Sequence, residues 1–567
     1  MASIVKKRVK GHPYYYLVET AWKDGRSRIV HQQYLGKAAD IGRAVTQRGG
    51  VRPHKAIVGS YGAVAALYRQ AERLDVLGII DRHAPKRRQG PSVGQYLLMA
   101  AINRATSPTS KAGMLDWYKS TCIGQWMRFT EPQLKSQRFW DHMGYLTADV
   151  IADIEDELTR KMVETEGLDL SSLIYDATNF YTWIDTMADA ELPQRGHNKA
   201  KRHDLKQVSL AMLVTTDFHI PLLHQVYPGN RNDTTEFGSV IEGLLARYRA
   251  LAGQCKDVTL IFDKGNNSKD NLRVVDGAPL HFVGSLVPSR FPDLLDVPRS
   301  DFVPLEGPAF GGTSAFRTQR EVFGARRTLV VTYNEALYLG QLQGLLLRVR
   351  KANDALRQLQ RSLALRASGP VTPKTRPQSA AVIDQRIGKI LAQAVVPLRD
   401  WLRYSITEND GVCTLTYTID HQAQQAYCDR HLGKHILFTD RDDWTNEQIV
   451  AAYRSQSTIE DAFKEMKHPH CLGWQPMFHW TDDKIRVHAL YCVLALMLTA
   501  LVRRRLAHKG LALSAPALIA ELSDIQQVAH LYPEDSGVKP HLTFSELSPL
   551  QDTLLRTLEL LPPTRTG

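Results

Sequence analysis

Two short, largely apolar runs each end in an aspartate: Leu173-Ile-Tyr-Asp176 and Val258-Thr-Leu-Ile-Phe-Asp263. Runs of this length and character read as strands buried on both faces, which places helices above and below them. Val208–Thr215, Leu222–Tyr227 and His281–Leu286 continue the pattern, and Asp233-Thr234 is placed to cap a helix reaching about Leu251. The stretch 169–290 is therefore expected to be α/β, with both carboxylates at one edge of a sheet.

A third acid stands on a helix. In Tyr453-Arg-Ser-Gln456-Ser-Thr-Ile-Glu460-Asp-Ala-Phe-Lys464-Glu-Met-Lys467, the residues Tyr453, Glu460 and Lys467 recur every seven positions. At about 100° per residue, seven positions nearly close two turns, so the three are expected on one face, joined by Gln456. Thr445-Asn-Glu-Gln448 is a capping box that opens this helix. Asp176, Asp263 and Glu460 together can hold two divalent cations about 4 Å apart for an in-line phosphoryl displacement. Oxygen ligands favour Mg2+, with Mn2+ as a substitute.

Charge agrees with that chemistry. The 567 residues carry 71 Lys and Arg against 59 Asp and Glu, a net charge of +12. An excess of this size makes nucleic acid the first partner to consider. Arg195, Lys199, Lys201, Arg202 and Lys206 form one basic cluster; Arg26 and Arg28 sit beside an expected hairpin turn at Lys23-Asp24-Gly25. The six cysteines are scattered, without a Cys-x-x-Cys pair, which suits a reducing cytosol and excludes a zinc ribbon. The longest apolar run, Ala489–Val502, is too short to span a bilayer and is expected as a buried helix. No membrane partner is expected.

Elsewhere, Ser92-Val-Gly-Gln95 opens a helix with a second capping box. Leu342, Leu345, Val349, Ala352, Leu356, Leu359 and Leu363 alternate by three and four, which predicts a helical hairpin or short coiled coil. Ser368–Pro377 reads as a loop, and Tyr404–Ile419 as a hairpin about Asn409-Asp-Gly411. His435–Phe438 reads as one more strand. Trp183 and Trp474 are candidates for stacking on bases, with core packing as the other reading.

These motifs together resemble the DDE transposases of bacterial insertion sequences, in particular the insertion-sequence-4-like group. That group carries Tyr-x(2)-Arg-x(3)-Glu-x(6)-Lys on the helix of its third acid. Tyr453, Glu460 and Lys467 match it, and Gln456 stands in place of the Arg. Tyr175-Asp176-Ala-Thr178, Gly229–Asp233 and Asp263-Lys-Gly-Asn-Asn-Ser268 add to the likeness. Phe478–His488 and the N-terminal tyrosine-rich segment ending Tyr34-Leu-Gly-Lys37 are similar to the insertion-sequence-1634 subgroup.

The resemblance implies an RNase H-like catalytic core, a mixed sheet flanked by helices, interrupted by a helical and β-rich insertion. The 197 positions between Asp263 and Glu460 leave room for it. The implied organisation is an N-terminal β-hairpin region at 1–55, a helical and DNA-binding domain at 56–165 and core segments at 166–290 and 445–510. The insertion falls at 291–444 and a C-terminal tail at 511–567.

The resemblance also implies cut-and-paste transposition. Asp176, Asp263 and Glu460 would be catalytic and hold Mg2+. Tyr453, Gln456, Lys467, Arg454, Lys464 and Lys264 would contact double-stranded DNA, and a homodimer would pair the two element ends in a bacterial cytoplasm. Two alternatives are a nuclease without strand transfer and an inactive, domesticated descendant that binds DNA.

Overall fold

The computed structural model describes residues 2–23, 26–46, 52–87, 89–184, 190–196, 202, 204–231, 237–238, 240–244, 246–247, 257–368, 379–394, 398–409, 412–456 and 459–561. The expected turns at Asp24-Gly25 and Asp410-Gly411, the cap at Asp233-Thr234, the loop 369–377, and Lys199 and Lys201 of the basic cluster lie outside those residues. The chain divides into two compact units.

The first unit joins residues 1–65, 118–126 and 520–567. Strands Ala2–Val9, His12–Lys23 and Arg26–Gly36 form an antiparallel sheet that leaves most of its side chains exposed. Lys55–Ser60 pairs with Gln526–Leu531, which pairs with His541–Phe544. The stretch expected to be a C-terminal tail thus supplies two strands to a sheet begun near the N-terminus. The Tyr61 hydroxyl donates to the Leu560 carbonyl at 2.7 Å within the same unit.

The second unit, residues 66–117 and 127–519, carries the acids. Its centre is a nine-stranded sheet. In chain order the strands are β1 (Ser172–Thr182), β2 (Lys206–Thr215), β3 (Pro221–Pro228), β4 (Thr259–Ile261), β5 (His281–Leu286), β6 (Val303–Pro304), β7 (Thr313–Val322), β8 (Ala325–Asn334) and β9 (Lys434–Thr439). They lie in the order β6-β7-β8-β9-β5-β4-β1-β2-β3. Strand β4 is parallel to both β1 and β5, and every other neighbouring pair is antiparallel. Strands β2 and β4 are buried along nearly their whole length, as apolar runs covered on both faces must be.

Helices cover the sheet. Val93–Thr106 begins with the expected capping box: the Gln95 amide donates to Ser92 Oγ, and the Ser92 amide donates to Gln95 Oε1. It packs against Asp482–Ala507, a 26-residue helix that contains the long apolar run. That helix is long and apolar enough to cross a membrane, yet it is buried within the unit almost all round, as a central core helix is.

Two features differ from the sequence expectation. Strands β6–β8, within the stretch assigned to the insertion, belong to the main sheet. What remains of the insertion is helix Glu335–Ser368, helix Ala380–Gln393, hairpin Leu402–Asn409 with Val412–Ile419, and helix His421–His431. The heptad stripe is also satisfied within the chain. Leu345, Val349, Ala352, Leu356, Leu359 and Leu363 are buried against Ile383, Ile387, Trp401 and Leu415, with Leu342 at the margin. The heptad stripe itself is therefore covered, while Arg348, Arg350, Lys351, Arg357, Arg361 and Arg366 lie exposed on the helix, as do Leu339, Leu346, Leu347 and Leu365.

Candidate active site

Register brings the two aspartates together. Leu173 pairs with Leu260, and Ile174 with Ile261, on adjacent parallel strands. Two residues further along each chain stand Asp176 and Asp263, so they are at the same height, roughly 5 Å apart at the backbone. Asp176 is not at a strand end as expected, because β1 runs on to Thr182. The site lies instead where the shorter β4 stops beside it. Both aspartates are half-buried, and Asp176 Oδ1 accepts from the Ala177 amide at 2.8 Å.

The residues after Asp263 brace its loop. Ser268 Oγ accepts from the Asn271 amide and caps helix Lys269–Asp276. The Asn271 side-chain amide donates to the Asn266 carbonyl, and that of Asn267 donates to the Ser285 carbonyl on β5 at 2.6 Å. Amide side chains at these positions fasten the turn to the neighbouring strand, which fixes where Asp263 points.

Tyr453 closes the far side. It lies on helix Asn446–Gln456, whose capping box at Thr445 and Gln448 forms as expected and which packs against β1, β4, β5 and β9. Its hydroxyl reaches Ser285 Oγ at 2.7 Å and Asp263 Oδ1 at 3.3 Å. Burial, and then the Asp263 carboxylate, push the phenol well above its ordinary pKa, partly offset by the Ser285 bond. Tyr453 is therefore a neutral hydrogen-bond donor at any working pH.

Lys467 lies past the end of helix Ile459–Met466. Its ammonium donates to Thr178 Oγ1 at 2.6 Å and stands 5.5 Å from the centre of the Phe180 ring. Asp176, Thr178 and Phe180 alternate along β1 and share a face. Lys467 therefore holds a cation about 7 Å along the strand from Asp176. Phe180 in turn stacks on Trp474 at 4.3 Å, so Trp474 is a core residue, whereas Trp183 is exposed under Arg202.

Glu460 is the second residue of helix Ile459–Met466 and is exposed, while Ile459, Ala462, Phe463 and Met466 are buried. The single helix expected over Tyr453–Lys467 is described as two segments, with residues 457 and 458 outside the described ones. Among the described residues no three His, Cys, Asp or Glu side chains lie close enough to hold one ion. The structure thus brings Asp176, Asp263, Tyr453 and Lys467 to one place, while Asp176, Asp263 and Glu460 do not together form a three-residue metal group among the described residues. The adjacent carboxylates nonetheless offer the hard oxygen donors that Mg2+ or Mn2+ takes.

The remaining expected DNA contacts divide. Gln456 is buried. Arg454 donates to the Ala309 carbonyl at 2.7 Å and Thr313 Oγ1 at 2.6 Å, and lies over the Phe310 ring. Its guanidinium thus pins the segment leading into β7. Lys464 is exposed and pairs with Asp461 at 2.8 Å. Lys264 is exposed and lines a cleft of about 460 Å3 with Arg290, Phe291, Glu321 and Phe323.

Two residues at the site escape sequence reasoning. Ser285, inside an ordinary apolar strand, has no local signal. His435 lies exposed on β9 within electrostatic reach of Lys264, Asp263 and Arg454; desolvation by the surrounding chain, then the Lys264 cation, lower its pKa.

Comparison with solved structures finds similarity to the piggyBac transposase synaptic complex with hairpin DNA. That match has 10% sequence identity and a TM-score of 0.36, over 92% of this chain and 84% of that one. No curated protein matches the sequence. The family model described as a transposase DDE domain matches residues 169–498, from the start of β1 to deep within helix Asp482–Ala507, and by that match the chain belongs to the DDE transposase family.

Proposed function

We propose that this transposase cuts the ends of a DNA element and joins the 3′-hydroxyls to target DNA, with Asp176, Asp263 and Glu460 as its metal-holding acids. The observation that carries the reading is the register that sets Asp176 beside Asp263, with Tyr453 and Lys467 on either flank. The run β3-β2-β1-β4-β5, an antiparallel meander followed by two strands parallel to its first, supports reading the core as RNase H-like.

Asp176 and Asp263 would hold Mg2+ or Mn2+ from adjacent strands, and Glu460 would complete the set from its helix. Bound there, the cations supply Lewis-acid activation of the attacking oxygen and charge stabilisation at the leaving one. Lys467, a point charge beside β1, binds a non-bridging phosphate oxygen of the strand being cut. Tyr453 keeps Asp263 oriented through a protonated hydroxyl. Lys264, on the turn beside Asp263, is placed to meet the backbone of the same strand. The net charge of +12 supports binding to duplex DNA. A synaptic dimer follows from the need to join two ends in concert, and its contacts come from surfaces other than the heptad stripe.

The test is cleavage and joining of DNA cut from the flanks of the protein's own gene, with Mg2+ or Mn2+. Asp263→Asn removes a charge without changing shape, so the variant should bind those ends and fail to cut them. A variant that still cuts would remove Asp263 from the chemistry. Nicked DNA without joined product from the native protein would replace transposition with simple hydrolysis.

A further inference from the structure

A second cleft in the acid-bearing unit is built from unusual material. It has a volume of about 410 Å3, within the range of about 300–1,000 Å3 that small ligands occupy. Its lining includes Trp140, Phe478 and Trp480 together with Arg104, Lys111 and His479, and contains no carboxylate. Trp140 and Trp480 stack at 4.7 Å, yet Trp480 is 57% exposed and Phe478 62%. Large aromatic side chains left open beside a cleft mark a binding surface.

The basic residues are the second observation. Arg104 is 1% exposed. Its Nη atoms donate to the carbonyls of Thr109 at 3.1 Å and Pro476 at 2.9 Å, with longer contacts to Gly473 and Trp474. Its Nε is buried without a hydrogen-bond partner, and so is Nζ of Lys111. Lys111 Nζ rests against the Tyr491 ring at 4.1 Å and the Phe139 ring at 5.3 Å. One guanidinium nitrogen of Arg104 and the whole Lys111 amine are buried without acceptors and without an acid nearby, which is costly. Burial, then Arg104, hold the Lys111 amine well below its ordinary pKa, so that an arriving anion would favour its protonated form. Desolvation, and then repulsion from Lys111 and Arg104, hold His479 down at about 3. The cluster lacks an anion, and Lys111, on a flexible four-carbon stem, can turn to meet one.

We propose that this cleft binds a planar aromatic anion of mononucleotide size, with its ring against Trp480 and Phe478 and its phosphate toward Arg104 and Lys111. Aromatic walls select a flat π-system, since every base presents a face to stack, and the acid-free cationic floor selects negative charge. The inference does not rest on the acid site, because none of the residues there lines this cleft. The same chemistry is offered by a free nucleotide and by a nucleotide within a single strand.

The test is binding of dAMP, deoxyadenosine and a short single-stranded oligonucleotide to the full-length protein, followed by tryptophan fluorescence and calorimetry. The expectation is that dAMP binds at least about tenfold more tightly than deoxyadenosine, through charge-assisted hydrogen bonds. Trp480→Ala, at an exposed position, should weaken dAMP by about fivefold or more through lost stacking. Lys111→Met removes the buried amine while keeping its stem. It should abolish the preference for dAMP over deoxyadenosine and leave the melting temperature equal or higher. Tighter binding of dAMP than of the oligonucleotide identifies a free nucleotide as the ligand, and the reverse order a strand; both uphold the proposal. Equal binding of dAMP and deoxyadenosine, binding indifferent to both substitutions, or none at all overturns it.

Discussion

Replacing Tyr453 with Phe deletes one oxygen and two contacts, the 2.7 Å bond to Ser285 and the 3.3 Å bond to Asp263. Ser285 is 2% exposed, so its hydroxyl would be left in the interior without that partner. A neutral bond of this kind is worth about 1 kcal/mol, and stranding its partner costs about 1–3 kcal/mol. Tyr453→Phe should therefore destabilise the acid-bearing unit by about 2 kcal/mol, read as a shift in urea unfolding. The contact to Asp263 is longer but meets a charge, so its loss should slow DNA cleavage by about tenfold, equivalent to about 1.4 kcal/mol. Ser285→Ala separates the two effects. It removes the shorter bond alone, so it should cost about 1 kcal/mol of stability while cleavage stays within about twofold of native. Full cleavage by Tyr453→Phe would refute the claim that the phenol positions Asp263. Equal loss of cleavage in the two variants would show that the effect is one of stability alone.

Two further outcomes follow from burial. His479 is protonated near pH 6.5 when unfolded and near 3 when folded. The unfolded chain therefore takes up a proton that the folded chain refuses between those values, and stability present above pH 6.5 is lost as pH falls toward 3. By pH 5 this costs about 2 kcal/mol, with buried His488 acting in the same direction. His479→Gln should lower proton uptake on unfolding at pH 5 by about one, and an unchanged uptake would rule out a neutral buried imidazole. Leu356, fully buried inside the insertion, gives a test of the heptad stripe. Leu356→Ala should cost about 2–5 kcal/mol without changing the oligomeric state by light scattering; dissociation of an oligomer would mean the stripe is shared between chains.

The strands that carry the aspartates were legible because burial on both faces leaves few polar positions in the runs before them, Thr259 among them. β5 was read to the residue for the same reason. β6–β8 were not, since Thr313–Val322 mixes Thr, Gln, Arg and Glu with its apolar residues and is buried at only three of its ten positions. Its partner β8 closes on β9 only after some hundred intervening residues, a pairing that no local periodicity records. The heptad stripe was legible as a stripe, but periodicity shows only that a face needs covering. That its cover is the chain's own hairpin is a matter of tertiary structure. Likewise, a seven-residue spacing places Lys467 on the face of Glu460 only while the helix runs through both, and Lys467 lies past the end of Ile459–Met466. The convergence of Tyr453 and Lys467 on the site instead rests on separate anchors, Ser285 for one and Thr178 for the other.

Gln456 illustrates the same limit and changes how the phosphate contact must be made. In the resemblance it stands where an Arg is expected, and neighbouring Arg454 looks like a substitute one helical step away. In the structure neither position offers a free cation to DNA: Gln456 is buried, and Arg454 is committed to Ala309 and Thr313. Moving Arg454 to DNA would break two good hydrogen bonds and release the lead into β7, a cost that a surface phosphate contact would not repay. On the proposed reading, the positive charge facing a DNA strand then comes from elsewhere on the same rim. Lys467 beyond the Glu helix and Lys264 on the Asp263 turn are both exposed and flank the two aspartates, with His435 beside Lys264. On that reading two separate segments, those of Lys467 and Lys264, supply the charge that the signature helix alone does not; His435, its pKa lowered by desolvation and by Lys264, adds none.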